Sequence, residues 1–97
     1  MDRKLIIKMQ KLLLRIPKGK VTSYQEIAKQ LRIHPRFAGR LVGSNPDGNK
    51  YPCYKVVYAD GRLGGYGGGL KEKTRRLKKD GITIKNRRID KKFFFYF

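Results

Sequence analysis

Ninety-seven residues and 11.3 kDa hold one domain, since a second core would need roughly another 100 residues. Twenty-five Lys and Arg against seven Asp and Glu leave a net charge of +18, which points to a polyanionic partner. Periodic apolar blocks exclude a disordered basic tail, no apolar run reaches transmembrane length, and a lone cysteine excludes an internal disulfide.

Residues 3–16 place Leu5, Ile6, Met9, Leu12, Leu13 and Ile16 at helical spacing, and Pro17 ends that amphipathic helix. Ser23-Tyr24-Gln25-Glu26 reads as a capping box, with Ser23 covering the first turn and Glu26 reaching back. Ile27, Ala28 and Leu31 continue a short second helix. Pro35 suits the first position of a third helix, which turns Phe37, Ala38, Leu41 and Val42 inward. The pair has the layout of a helix-turn-helix whose second member carries Arg36 and Arg40.

Asn45-Pro46-Asp47-Gly48-Asn49 is a loop. A short strand is expected after Pro52, followed by a hairpin turn at Ala59-Asp60-Gly61-Arg62. Six glycines in residues 61–69 let backbone approach a ligand closely. Leu70 to Asp80 forms a basic helix ended by Gly81. Its Lys71, Lys73, Arg75, Arg76, Lys78 and Lys79 suit general phosphate attraction. Residues 93–97 are all aromatic and are set apart as a tail, either packed on the first helix or offered to another protein. The fold class is mainly α with a small β-hairpin, a winged helix-turn-helix-like single domain over residues 1–92. The N-terminus lacks a signal-peptide pattern, so a cytoplasmic location, or wherever the genomic DNA lies, is expected; the protein is separately expected to be a monomer.

Cys53 follows a proline between a turn-rich loop and a strand. A lone cysteine is ordinarily a small buried hydrophobe. Taken with Asn45-Pro46, Pro52-Cys53-Tyr54-Lys55-Val56-Val57 and Gly65-Tyr66-Gly67-Gly68-Gly69-Leu70, however, the chain resembles the DNA-binding, alkyl-accepting domain of the O6-alkylguanine-DNA alkyltransferases. Residues 16–24, Pro35-Arg36, Lys73 and Asp80-Gly81 support the resemblance in the same order, over roughly residues 4–90. The family's N-terminal domain, with any zinc site it carries, is expected to be absent.

The resemblance implies a protein that flips O6-alkylguanine out of duplex DNA and transfers the alkyl group irreversibly to Cys53. Such a single-turnover methyltransferase needs no cofactor and no metal. A soft thiolate suits displacement at a saturated carbon, but a thiol of pKa about 8.5 is largely protonated at neutral pH. In the family a histidine after the cysteine and a distant glutamate assist; here Tyr54 and Asp80 stand in those places, and Lys55 replaces an arginine. By the same resemblance Arg36 fills the hole left by the extruded base, and Tyr24 crowds the target phosphate. Gln25 and Arg40 join them on DNA. Asn45 links the recognition helix to the cysteine loop, while Pro52, Tyr66, Gly67 and Gly68 line the base pocket. The rival reading is a non-catalytic alkyltransferase-like protein that binds the lesion and flags it for other repair factors.

Overall fold

The computed structural model describes residues 2–97. Helix α1 (Arg3–Arg15) opens on Asp2, whose side chain accepts the Lys4 N–H, and turns Met9, Leu12 and Leu13 inward. Strand β1 (Thr22–Ser23) leads into α2 (Tyr24–Leu31), where the Ser23 hydroxyl accepts the Glu26 N–H at 2.9 Å. The capping box closes on that side alone. The Glu26 carboxylate instead accepts from Gln30 at 3.2 Å and from the Phe97 N–H at 2.9 Å.

Helix α3 (Pro35–Gly43) follows a tight turn in which Arg32 adopts a left-handed conformation. Pro35 occupies its first turn, and the His34 ring accepts the Arg36 N–H at 3.1 Å. Ala38, Leu41 and Val42 are buried, whereas Phe37, expected inward, stays 36 % exposed because it lies beside that stripe. Among the described residues no helix is long and apolar enough to cross a membrane.

The strand expected after Pro52 starts later. Pro52 closes a three-residue turn (φ −76°, ψ 72°), with the Cys53 N–H on the Tyr51 carbonyl at 2.7 Å. Cys53–Lys55 form one 3-10 turn, and strand β2 is confined to Val56–Val57. It pairs in parallel with β1, Thr22 opposite Val56 and Ser23 opposite Val57. Being successive strand residues, Val56 and Val57 face opposite sides. Val56 joins a core with Met9, Leu13, Ile27 and Leu41; Val57 joins another with Val21, Leu77, Ile82 and Phe94.

The turn at residues 58–62 is present, closed by the Tyr58 N–H on the Arg62 carbonyl at 2.9 Å. It does not return as a partner of β2. The antiparallel hairpin lies further on, between β3 (Ile84–Lys85) and β4 (Arg88–Ile89), after helix α4 (Leu70–Lys79). It docks on Gly61, whose carbonyl accepts the Ile89 N–H at 2.9 Å and which has no room for a side chain: a Cβ there would sit 2.5 Å from the Ile89 carbonyl oxygen.

The aromatic end runs beside β1. The Val21 N–H donates to the Phe93 carbonyl at 2.8 Å, and the Phe95 N–H donates to the Val21 carbonyl at 2.6 Å. Phe94 is buried in the second core, and Phe97 packs on the first with the Arg15 guanidinium over its ring.

Candidate functional site

A cleft of about 1080 Å³ lies between α3 and the glycine-rich loop. One wall is a single face of α3: Arg36, Gly39, Arg40 and Gly43 recur at helical spacing. A Cβ on Gly39 or Gly43 would meet nothing within 4 Å, so the helix backbone between the arginines is open to close approach. Tyr24 and Gln25, at the start of α2, extend this wall.

The base of the cleft is the loop that delivers Cys53. Asn45 ties it down from the end of α3: its amide donates to the Tyr51 carbonyl at 2.9 Å, and its oxygen accepts from Gln10 of α1 at 3.2 Å. The Asp47 carboxylate accepts the Asn49 and Lys50 N–H groups at 3.2 and 3.0 Å. A methyl placed on Gly48 would lie 3.5 Å from the Cys53 sulfur and 3.6 Å from the Tyr66 hydroxyl. Sulfur, phenol and bare backbone therefore converge at one point, with Gly65, Gly67 and Gly68 behind them.

Of the residues singled out from sequence, Tyr24, Gln25, Arg36, Arg40, Asn45, Cys53, Tyr66, Gly67 and Gly68 line this cleft. Pro52, Tyr54 and Asp80 do not line it. Tyr54 packs on the second core with the Arg76 guanidinium 6.0 Å from its ring centre. Burial raises its pKa first, the nearby Asp80 charge second, and Arg76 opposes both. Asp80 accepts from the buried Lys55 ammonium at 3.0 Å and from the Gly19 N–H at 3.1 Å. It fastens the end of α4 to the turn before β1.

Lys73, grouped with the phosphate-facing basic residues, is completely buried. Its ammonium donates to the Val56 carbonyl at 2.8 Å, the Gly65 carbonyl at 3.1 Å, the Leu63 carbonyl, and the Tyr24 hydroxyl at 3.4 Å. The amine thus pins the glycine-rich loop to β2 and to Tyr24. Burial pushes its pKa down to about 8, while a Cys53 thiolate would push it back up. Burial also pushes the Tyr24 phenol up to about 12, so its hydroxyl stays neutral. Gly64 has φ +74°, and a Cβ there would meet the Tyr24 hydroxyl at 2.9 Å.

Sequence reasoning missed Arg76 as a part of the site. Its guanidinium lies 5.9 Å from the Tyr66 ring centre, donates to the Asn49 side chain at 2.8 Å and is held by Glu72 at 3.0 Å. It also missed Tyr58, Asp60 and Arg62, which form the rim opposite α3. A dense run of basic residues gives no sign of which one folds inward.

Residues 6–82 match the family model described as 6-O-methylguanine DNA methyltransferase, DNA binding domain. The chain belongs to this family. It is 48 % identical over 83 residues to a bifunctional methyltransferase/endonuclease of Picrophilus torridus, covering 84 % of this chain and 28 % of that relative. Among solved structures, Mycobacterium tuberculosis OGT in complex with DNA aligns with a TM-score of 0.76 and 36 % identity, over 84 % of this chain and 51 % of that one. The family fold reaches beyond the match. Schizosaccharomyces pombe Atl1, in complex with damaged DNA containing O6-carboxymethylguanine, aligns over 98 % of this chain and 97 % of its own, with a TM-score of 0.85 at 19 % identity. The chain spans about half or less of the methyltransferase relatives it matches.

Proposed function

We propose that this protein receives an alkyl group from O6-alkylguanine in duplex DNA on the sulfur of Cys53. The observation that carries the reading is the convergence of the Cys53 sulfur, the Tyr66 hydroxyl and the bare Gly48 backbone at the base of a cleft walled by Arg36 and Arg40. Positive charge on α3 holds the phosphates, and the Arg36 guanidinium takes the stacking place of the extruded base. Tyr24, anchored by Lys73, crowds the target phosphate; Gln25 and Arg40 add DNA contacts. The guanine enters between Tyr66 and the backbone of Gly67 and Gly68.

In the transfer step the thiolate forms a C–S bond to the alkyl carbon as the bond from that carbon to O6 breaks. The thiol proton ends on the guanine, and S-alkylcysteine is the product, so each molecule acts once. This chemistry calls on neither metal nor cofactor. The protein works as a monomer wherever the genomic DNA lies.

A second reading has one specific observation in its favour. Tyr54 packs on the core and Asp80 is engaged by Lys55, so neither makes the histidine-and-glutamate contact of the family. On that reading the protein grips the lesion without reacting and marks it for other repair factors. Incubation with DNA carrying O6-methylguanine labelled in its methyl group separates the two. Label on the parent and none on Cys53→Ser is expected; tight lesion binding with no label on either supports the second reading.

A further inference from the structure

We propose that the β3–β4 hairpin, with Arg62, Arg87 and Arg88, is a second grip on the phosphate backbone of DNA, on the far side of the cleft from α3. The proposal deepens the DNA-binding reading above and rests on it. A second cavity, about 870 Å³, lies between this hairpin and the start of α4, with Lys71, Arg87 and Arg88 around an apolar floor that includes Leu63 and Ile84. Arg62 lines both this cavity and the cleft, so a strand leaving the cleft past Arg62 enters the second cavity directly.

The guanidinium groups are already in position. Asp60 accepts from Arg62 at 2.8 Å and lies 3.6 Å from Arg88, which also donates to the Asp60 carbonyl at 3.1 Å. Arg62 lies over the Tyr58 ring at 4.7 Å. One carboxylate thus orients two arginines and leaves a net positive charge. Among the described residues, neither Lys71 nor Arg87 enters an ion pair.

The hairpin tip gives an independent sign. Asn86 and Arg87 adopt φ +53° and +60°, the left-handed pair of a two-residue turn. Asparagine tolerates this conformation, but at the second place glycine is the favoured residue and a long side chain is disfavoured. The chain keeps an exposed arginine there against the preference of its backbone. A residue held in a costly conformation at a surface tip is a sign that its side chain has a use. Planar arginines that share a groove with the lesion cleft match a phosphodiester better than an acidic polypeptide.

The test is binding of an unmodified duplex against salt concentration, with folding stability measured alongside. Arg87→Gly should melt at a higher temperature than the parent yet bind DNA more weakly. The slope of log affinity against log salt should fall by about 0.9 for the lost phosphate contact. Arg87→Lys should keep the slope. Lys11→Ala, exposed on α1 and outside both cavities, should leave it unchanged. Arg87→Asn, which also accepts the left-handed turn, repeats the test should the glycine variant fold poorly.

A slope in Arg87→Gly equal to that of the parent overturns the proposal, as does an equal fall in Lys11→Ala. Loss of poly-glutamate peptide binding with duplex affinity intact also overturns it, in favour of an acidic protein partner. Failure of the parent itself to bind duplex would instead overturn the DNA reading, whatever the variants do.

Discussion

The Asn45 side-chain amide and the Cys53 backbone N–H converge on one oxygen, the carbonyl of Tyr51, at 2.9 and 2.7 Å. Through it, the end of α3 is coupled to the turn that presents the sulfur. A movement of α3 on DNA would therefore be felt two residues before the acceptor. Arg76 of α4 holds the same loop from the other side, through Asn49.

Arg76→Leu tests that second hold. The substitution removes the donor to Asn49 and the cation beside Tyr66, while the helix keeps a good helix former. Single-turnover transfer is expected to slow about tenfold, equivalent to roughly 1.4 kcal/mol of misplacement in the transition state. Duplex affinity should stay near the parental value. Equal losses in both would make Arg76 a DNA contact instead of a loop clamp.

Tyr54 is expected to act as a packing residue. Its ring lies on the second core, and its pKa is raised by burial, so it is no base near neutral pH. Tyr54→Phe should transfer within about twofold of the parent, under roughly 0.5 kcal/mol. Rates measured from pH about 6 to about 9 should rise along one limb in both proteins. A tenfold loss in Tyr54→Phe would restore the hydroxyl to the chemistry.

Tyr24 sets an alkaline limit. Its phenol ionises near 12 in the folded protein, against 10.0 ordinarily, chiefly because it is buried. The folded state then holds a proton that the unfolded chain has lost, so this stability is complete below pH 10 and disappears as pH rises toward 12. Comparison of parent and Tyr24→Phe by denaturant titration should show a difference of roughly 2 kcal/mol across that window. Parallel curves would mean that Tyr24 ionises normally.

The aromatic end is expected to be structural. Phe94 is 8 % exposed and shares a core with Val21, Val57 and Leu77. Phe94→Ala should cost roughly 3 kcal/mol, on the order of 15 °C in Tm for a domain of this size. Tyr96→Ala, at a ring 60 % exposed, should shift Tm far less. Similar small shifts in both would place the end outside the core.

Local rules made much of this protein legible in its sequence. The apolar spacing of α1, the Ser23 cap, Pro35 at the start of α3 and Gly81 after α4 each act within one or two turns, so adjacent residues suffice to specify them. The ordered Pro-Cys and Gly-Tyr-Gly blocks likewise carried the family and four of the residues that line the cleft, Cys53, Tyr66, Gly67 and Gly68.

Tertiary structure alone decided the rest. The parallel pairing of β1 with β2 joins residues over thirty positions apart, and no turn signal announces it. The single bridge of Phe94 beside Val21, flanked by the Phe93 and Phe95 backbone hydrogen bonds, is equally remote in sequence. Lys73 and Lys79 look alike along the chain, yet one is buried under three carbonyl oxygens and the other is exposed. Asp80 turned to Lys55 because folding brought an ammonium within 3.0 Å of it. Where a charge is buried, its partner is chosen by packing in space, and neighbours along the chain cannot name it.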